Sequence, residues 1–225
     1  MTRPGRGLDD VRAALAAEGL ALTGAFHPGA DDRAPEGAGT LALAGPADGA
    51  MWAAFAASPE AADGRPDPLD RWSRRVLDVV AAALDARALY PFGGPPYQPF
   101  MHWAMRAEGL AASPIGLGVT PARGLLASWR GALAFAERLD LGAPSSPGPS
   151  PCTGCAAPCT RACPVDAFAG GRYDVDACLG HLARPEGAAC RSLGCLARRA
   201  CPANAALPAA QAAFHLVSFR NARSA

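Results

Sequence analysis

Hydrophobic residues in the first two thirds of the chain alternate between helical and extended spacing. Apolar residues recur at helical intervals from Leu8 to Leu15, and Gly19 ends this predicted helix. The apolar run from Leu20 to Phe26 then predicts a strand, and residues 40 to 44 predict a second strand beyond a polar loop. Helices and strands that follow one another in this way predict an α/β domain, in a chain whose fold class as a whole is predicted to be α+β.

The longest predicted helix begins with Asp67 as its cap and Pro68 in its first turn. Its predicted apolar face is formed by Leu69, Trp72, Val76, Val79 and Leu84. The pattern beyond this helix predicts a strand from Leu89 to Phe92, a helix from Tyr97 to Glu108, and a hairpin formed by Ile115 to Val119 and Leu125 to Phe135.

A proline-rich segment divides the chain into two predicted parts. Residues 142 to 151 contain four prolines and can form neither a helix nor a central strand, so they are predicted to be a linker. The α/β domain then covers residues 1 to 141, and a smaller module with a C-terminal tail covers residues 152 to 225.

All eight cysteines of the chain lie in the smaller module, and they form two runs that each close with Cys-Pro. The first run is Cys152, Cys155, Cys159 and Cys163-Pro164, and the second is Cys178, Cys190, Cys195 and Cys201-Pro202. The first run resembles the bacterial ferredoxin spacing, with one extra residue between its second and third cysteines. This resemblance implies a ferredoxin-like module with two [4Fe-4S] clusters and a redox function.

Two-cluster ferredoxins exchange one ligand between their cysteine runs, because the cysteine before the proline binds the neighbouring cluster. Applied to this chain, that pattern assigns one cluster to Cys152, Cys155, Cys159 and Cys201. It assigns the other cluster to Cys163, Cys178, Cys190 and Cys195.

Disulfides and zinc are the alternatives for these cysteines. Residues 1 to 19 are polar and charged where a secretory signal would be apolar, so a reducing compartment and free thiols are expected. Two zinc sites of four thiolates each remain an alternative, because zinc accepts tetrahedral thiolate sets. Zinc sites do not usually end each half in Cys-Pro, which favours iron and sulfur.

Composition limits the possible partners. With 225 residues, half of them hydrophobic, the chain can bury one sizeable core and a small appended module. Its net charge of +1 argues against a dedicated nucleic-acid binder. No apolar stretch approaches the ~20 residues of a membrane span, so we expect a cytoplasmic protein without a membrane partner.

Residues 150 to 202 resemble the iron–sulfur module of the epoxyqueuosine reductases, which are cobalamin-dependent enzymes. The shared features are the fifteen-residue step from Cys163 to Cys178 and the Gly194-Cys195 pair before Cys201-Pro202. The gaps on either side of Cys195 are each two residues wider than in that family, so Cys190 departs most from the pattern.

The N-terminal part resembles the CblC-type cobalamin-processing proteins. The matching segments are Asp67-Pro-Leu-Asp70, Pro114-Ile-Gly-Leu-Gly-Val-Thr-Pro121 and Trp129-Arg130-Gly131. This resemblance implies a nitroreductase-like α/β sandwich and a corrinoid ligand. The reductases carry a catalytic acid about where this chain has Gly93-Gly94-Pro95-Pro96, so epoxide reduction on a transfer RNA is not expected.

Several residues of the N-terminal part are candidates for contact with a cofactor. Two glycines permit close approach of a ligand to the backbone, and an imidazole could ligate cobalt. The cofactor-binding candidates are Gly93, Gly94, Tyr97, His102 and Arg130. Each also has a structural interpretation: His102 can simply pack in its helix, and Arg130 can be solvated. For His27, Asp70, His181 and His215, structural roles are expected.

The expected function is the passage of single electrons through two [4Fe-4S] clusters to a corrinoid or another acceptor in the N-terminal domain. The expected partners are an electron donor such as a flavodoxin or ferredoxin, and a small-molecule or corrinoid (cobalamin) ligand. The alternatives are a plain electron carrier that docks a partner enzyme, and a zinc-stabilised interaction module.

Overall fold

The computed structural model describes residues 7–142, 149–169 and 172–204. The chain divides into two compact units, one of Met1–Gly109 with Ser128–Pro147, the other of Leu110–Ala127 with Gly148–Ala225. The segment Leu110–Ala127, which the sequence analysis assigned to the first domain, therefore groups with the cysteines. Residues 143–148 of the predicted linker and His215 lie outside the described residues.

The described residues form a mixed α+β structure with small antiparallel sheets. The strands are β1 (Leu20–Phe26), β2 (Thr40–Pro46), β3 (Arg87–Leu89), β4 (Ala111–Ala112), β5 (Gly118–Val119) and β6 (Gly131–Phe135). The helices are α1 (Leu8–Ala17), α2 (Asp48–Ala56), α3 (Pro59–Ala62), α4 (Pro68–Ala83), α5 (Phe100–Glu108), α6 (Val175–Leu182), α7 (Ala188–Leu193) and α8 (Leu196–Arg199). None of these helices is long and apolar enough to cross a membrane.

The first unit contains a four-stranded antiparallel sheet in the order β1-β2-β6-β3. Its two central strands, β2 and β6, are buried along their whole length. Leucine in one of these strands faces alanine in the other at Leu41/Ala134, Ala42/Leu133 and Leu43/Ala132. Each of these pairs therefore combines one large and one small side chain.

Helices cover both faces of this sheet. A Cβ added to Gly131 of β6 would lie 2.5 Å from Leu77 of α4, and one added to Gly24 of β1 would lie 2.5 Å from the Ala107 carbonyl oxygen of α5. These two glycines pair with consecutive residues of β2, which point to opposite faces of the sheet. The unit is thus a helix–sheet–helix sandwich with α4 and α5 on opposite sides.

Most elements predicted for the first unit are present, with three differences. The helix predicted from Tyr97 begins at Phe100, because Pro99 disfavours a helical conformation at the residue before it. The strand predicted from Leu89 ends there instead. Val79, expected on the buried face of α4, is 60% exposed, because Leu77 and Val80 occupy that face.

The predicted hairpin between residues 115–119 and 125–135 is wrong. Strand β6 pairs with β2 and β3, whereas β5 pairs with β4. A tight turn in which Gly116 N donates to the Ser113 carbonyl oxygen at 2.9 Å joins β4 to β5. The hydrophobic pattern marks strands but does not specify their partners, so it missed this short local pair.

The second unit is built around a core that contains cysteines. Its fully buried members are Ile115, Val119, Leu125, Cys159 and Ala197, and five further cysteines or aromatic side chains pack against them. Three of these five core residues come from the segment Leu110–Ala127, so that segment completes the core of the cysteine-containing unit.

Candidate metal centre

Four cysteines line one cavity of the second unit. Cys152 and Cys155 lie on a turn, Cys159 lies in the single 3-10 turn Pro158–Thr160, and Cys201 follows α8. Ser113 and Leu125, from the segment that joins this unit, complete the wall. The free space between these side chains is about 10 Å³.

The other four cysteines line a second and larger cavity of about 280 Å³. They are Cys163, Cys178 on α6, Cys190 on α7 and Cys195 immediately before α8. All eight thiols are free of disulfides.

The two groups exchange one cysteine between the two sequence runs. Cys201, from the second run, lies with the first group, and Cys163, from the first run, lies with the second. This is the grouping that the two-cluster ferredoxin pattern assigns. Cys190, which departs most from the family spacing, lies with the second group and is 8% exposed.

A glycine allows Cys190 and Cys195 to reach the same cavity despite their wide spacing. Helix α7 ends at Leu193, and Gly194 follows with φ 81° and ψ 178°, a conformation open almost only to glycine. Helix α8 begins directly after Cys195. The two added residues are thus taken up by the turn of α7.

Burial and the neighbouring cysteines raise the pKa of three of the thiols, those of Cys159, Cys178 and Cys190. Burial raises the pKa of Cys159, and the neighbouring Cys201, Cys152 and Cys155 raise it further. Burial likewise raises the pKa of Cys178, to which Cys195, Cys163 and Cys190 add. Four thiolates in one such group need a positively charged core to compensate them.

Each cavity is lined by one buried polar side-chain atom that has no hydrogen-bond partner within the described residues. These atoms are Ser113 Oγ at the smaller cavity and His181 Nε2 at the larger one. Buried polar atoms normally have partners, and an orphan indicates a group that belongs in the adjacent space.

The larger cavity fits a cluster better than the smaller one does. A cavity needs about 10–15 Å³ to hold one water molecule. The larger space of about 280 Å³ has room for several atoms between its thiols. The smaller, at about 10 Å³, has a matching donor set but free space for no more than about one water molecule. Within the described ranges, no three metal-ligating side chains are positioned to hold a single ion.

Polar groups surround the thiols of the larger cavity. The Tyr173 hydroxyl donates to Cys178 Sγ, and the Ala167 backbone N–H donates to Cys163 Sγ at 3.3 Å. The Tyr173 ring stacks on Phe168 with centroids 4.8 Å apart, which holds the hydroxyl in place.

Arg198 of α8 also lines the larger cavity. Its Nε donates to the Leu125 carbonyl oxygen at 2.6 Å, and a terminal nitrogen donates to the Ala127 carbonyl oxygen at 3.1 Å. Burial lowers the pKa of Arg198, and Cys195 and Tyr173 oppose that shift. The guanidinium stays charged, because arginine does not deprotonate in proteins.

The arginine proposed for the cofactor is engaged inside the first unit. Arg130 is 5% exposed, forms an ion pair with Asp70, and donates from Nε to Ser73 Oγ at 2.9 Å. Burial lowers the pKa of Arg130, and Asp70 counteracts this. Asp70 thus neutralises a buried charge in addition to its place at the start of α4.

His102 is held by a buried carboxylate. Its Nε2 donates to Asp32 Oδ1 at 2.8 Å, and Arg106 donates to both oxygens of the same carboxylate. Burial alone would raise the pKa of Asp32, but hydrogen bonds from Gly29 N and His102 and the charge of Arg106 leave it lowered.

The remaining candidates of the first unit lie at its surface or pack locally. Tyr97 is 65% exposed. A Cβ on Gly94 would lie 2.5 Å from the Pro96 backbone, so this glycine is required by the loop itself. His27 donates from Nε2 to the Leu139 carbonyl oxygen at 2.9 Å, as its structural interpretation predicted.

Ser113, Tyr173 and Arg198 are the site residues that the sequence analysis missed. Ser113 precedes the first cysteine by 39 positions, and no spacing rule connects it to the cysteines. Tyr173 lies between the two cysteine runs and Arg198 lies within the second, where polar residues close to ligands are a usable signal.

Comparisons with known proteins add no assignment. The chain matches no protein-family model, no curated protein and no solved structure.

Proposed function

We propose that this chain is an iron–sulfur redox protein that binds two [4Fe-4S] clusters. The observation that carries the proposal is the placement of eight free cysteines in two groups of four, each of which lines its own cavity. The ligands would be Cys152, Cys155, Cys159 and Cys201 for one cluster, and Cys163, Cys178, Cys190 and Cys195 for the other.

The size of the larger cavity favours a cluster over zinc. A structural zinc site closes tightly around one ion, with zinc–sulfur distances of ~2.3 Å. A cavity of about 280 Å³, lined by the four cysteines and ten other residues, suits a larger inorganic core. The orphan His181 Nε2 supports the same view, because it would gain a partner from such a core.

Bound clusters would supply one-electron transfer, and the residues of the chain would tune and shield that transfer. Phe168, Leu117 and Leu196 form an apolar part of the wall of the larger cavity. Tyr173 and Ala167 N hold two of its thiol sulfurs by hydrogen bonds. We further propose that the second unit is a ferredoxin-like module related to that of the epoxyqueuosine reductases.

We propose a corrinoid as the acceptor, bound by the first unit. The support is the CblC-like set of motifs together with a helix–sheet–helix sandwich, which is compatible with a nitroreductase-like fold. Gly93, Tyr97 and His102 are the candidates that remain accessible, with the Tyr97 and His102 side chains at 65% and 43% exposure. An electron donor such as a flavodoxin or ferredoxin would reduce the clusters.

A second candidate function is a plain electron carrier whose first unit docks a partner enzyme. The burial of Arg130 against Asp70 and Ser73 favours it, because that guanidinium is already engaged within the fold. This function predicts no change in the spectrum of a corrinoid on mixing.

Anaerobic reconstitution followed by titration with cobalamin tests the proposal and separates the two candidates. The visible spectrum is expected to show cluster absorption that bleaches on reduction, and reduced protein is expected to reduce added cobalamin. If the clusters absorb but reduced protein has no effect on cobalamin, the result supports the plain electron carrier and excludes the corrinoid acceptor. A colourless protein after reconstitution contradicts both.

A further inference from the structure

The two cavities differ in the polar groups that line them. Of the described residues around the smaller cavity, Ser113 is the one polar side chain besides the cysteines. The larger cavity has a phenol, an imidazole and a guanidinium on its wall, from Tyr173, His181 and Arg198. Only the larger cavity therefore has a permanent positive charge among its described lining residues.

Arg198 is fixed at this cavity by its backbone contacts. Its two hydrogen bonds to Leu125 and Ala127 hold the guanidinium from one side. Asn204 Nδ2 donates to the carbonyl oxygen of Arg198 itself at 2.8 Å and holds the end of α8. These contacts keep the guanidinium at the wall of the cavity, where its positive charge acts on Cys195.

Further groups act in the same direction. The Tyr173 hydroxyl donates to Cys178 Sγ, and His181 Nε2 is buried at the cavity without a partner. A second guanidinium, that of Arg191, acts electrostatically on Cys190 and is held by the carbonyl oxygens of Leu182 and Arg184 at 2.5 and 2.7 Å.

We propose that the cluster held by Cys163, Cys178, Cys190 and Cys195 has the higher reduction potential of the two, and that Arg198 is the residue that sets the difference. Reduction adds a negative charge to a cluster, and a nearby cation or hydrogen-bond donor stabilises that charge. The cluster beside Arg198 is then the first to accept an electron from an external reductant. This inference rests on the proposed function, because it requires two clusters.

A stepwise reductive titration of the full-length, anaerobically reconstituted protein tests this inference. Dithionite is the reductant, redox mediators report the potential, and electron paramagnetic resonance reports the reduced clusters. The wild-type protein is expected to accept two electrons in two separate steps. We call the step with the higher reduction potential the higher step. Arg198→Met is expected to lower the potential of that step by ~59 mV, which makes this one-electron reduction about tenfold less favourable.

Three further variants separate charge from structure. Arg198→Lys keeps the charge, so the potential of the higher step is expected to stay within ~28 mV of wild type. That difference is about threefold in the equilibrium constant of reduction. Tyr173→Phe removes one donor and is expected to weaken the higher step by about threefold. Arg199→Met is the matched control, since Arg199 shares α8 and donates to the Leu193 carbonyl oxygen but does not line the cavity.

The inference is overturned if the two reduction steps of the wild-type protein occur at the same potential. It is also overturned if Arg198→Met changes the potential of the lower step, or of neither step. An equal change of the higher step in Arg199→Met overturns it as well. If Arg198→Met loses its iron, Tyr173→Phe decides: an unchanged higher step overturns the inference. Iron and sulfide are counted in every sample. A wild-type protein without two clusters overturns the proposed function, whereas two clusters of equal potential overturn this inference alone.

Discussion

Arg198 Nε donates to the carbonyl oxygen of Leu125 at 2.6 Å across 73 positions of sequence. The same tie is reinforced by Asn204, whose Oδ1 accepts from Leu125 N at 3.0 Å. Leu125 in turn packs in the core that contains Cys159. The side chains of Arg198 and Asn204, through the Leu125 backbone, therefore join the segment Leu110–Ala127 to the end of the second cysteine run.

Removal of the Asn204 side chain should destabilise the second unit. Asn204→Ala deletes the bonds to Leu125 N and to the Arg198 carbonyl oxygen, which together should cost about 1–3 kcal/mol. Chemical denaturation of the reconstituted protein measures this cost. Ser192→Ala, at an exposed site, is the control and should change stability by less than about 0.5 kcal/mol. If the two variants lose the same amount of stability, the hydrogen bonds of Asn204 do not stabilise the second unit.

Cys190 should be a ligand of one cluster only. Cys190→Ser is expected to lower the iron content after reconstitution from about eight to about four per chain, because one four-iron site loses a thiolate. Cys155→Ser should have the same effect on the other site, and the double variant should retain almost no iron. If Cys190→Ser keeps the full iron content, Cys190 does not belong to the ligand set.

Arg130 should contribute to stability through its buried ion pair. Arg130→Ala leaves Asp70 and Ser73 without their partner and should destabilise the protein by about 3–5 kcal/mol. Asp70→Ala in the same background should add little, and a double-mutant cycle measures this coupling by denaturant unfolding. A stable Arg130→Ala variant that has lost corrinoid binding would instead support a cofactor-contacting arginine.

The Glu60–Arg75 pair should make stability depend on acid pH. Hydrogen bonds from Arg75, partly opposed by burial, lower the pKa of Glu60 from 4.5 to about 2. A lowered carboxyl pKa gives stability that is present above about pH 4.5 and is lost as the pH falls toward 2. Glu60→Gln should therefore be less stable than wild type by roughly 1–2 kcal/mol at pH 7, since the half-exposed Arg75 is screened by solvent.

Urea unfolding of both proteins between pH 3 and 7 measures this effect, and the difference should shrink below about pH 4.5. Asp9→Asn is the control, because the Asp9 carboxylate in its pair with Arg12 is 96% exposed. A difference between Glu60→Gln and wild type that does not change with pH would contradict the assigned pKa.

The sequence predicted elements and groupings that depend on local pattern. The bounds of β1 at Leu20–Phe26 follow from its apolar run. The exchange of Cys163 and Cys201 between the two groups follows from the placement of Cys-Pro in each run.

Features that depend on tertiary contacts could not be predicted in this way. The pairing of β5 with β4 and the contribution of Leu125 to the cysteine core are set by packing between distant segments. The same holds for Arg130, whose partner Asp70 lies 60 positions away. Neither hydrophobic period nor motif spacing contains that information.

The content of iron, acid-labile sulfide and zinc per chain tests the central claim most directly. The measurement is made on full-length protein purified and reconstituted without oxygen. Two [4Fe-4S] clusters predict about eight iron and eight sulfide per chain, with zinc near zero. About two zinc per chain without sulfide would contradict the account and identify the eight cysteines as two structural zinc sites.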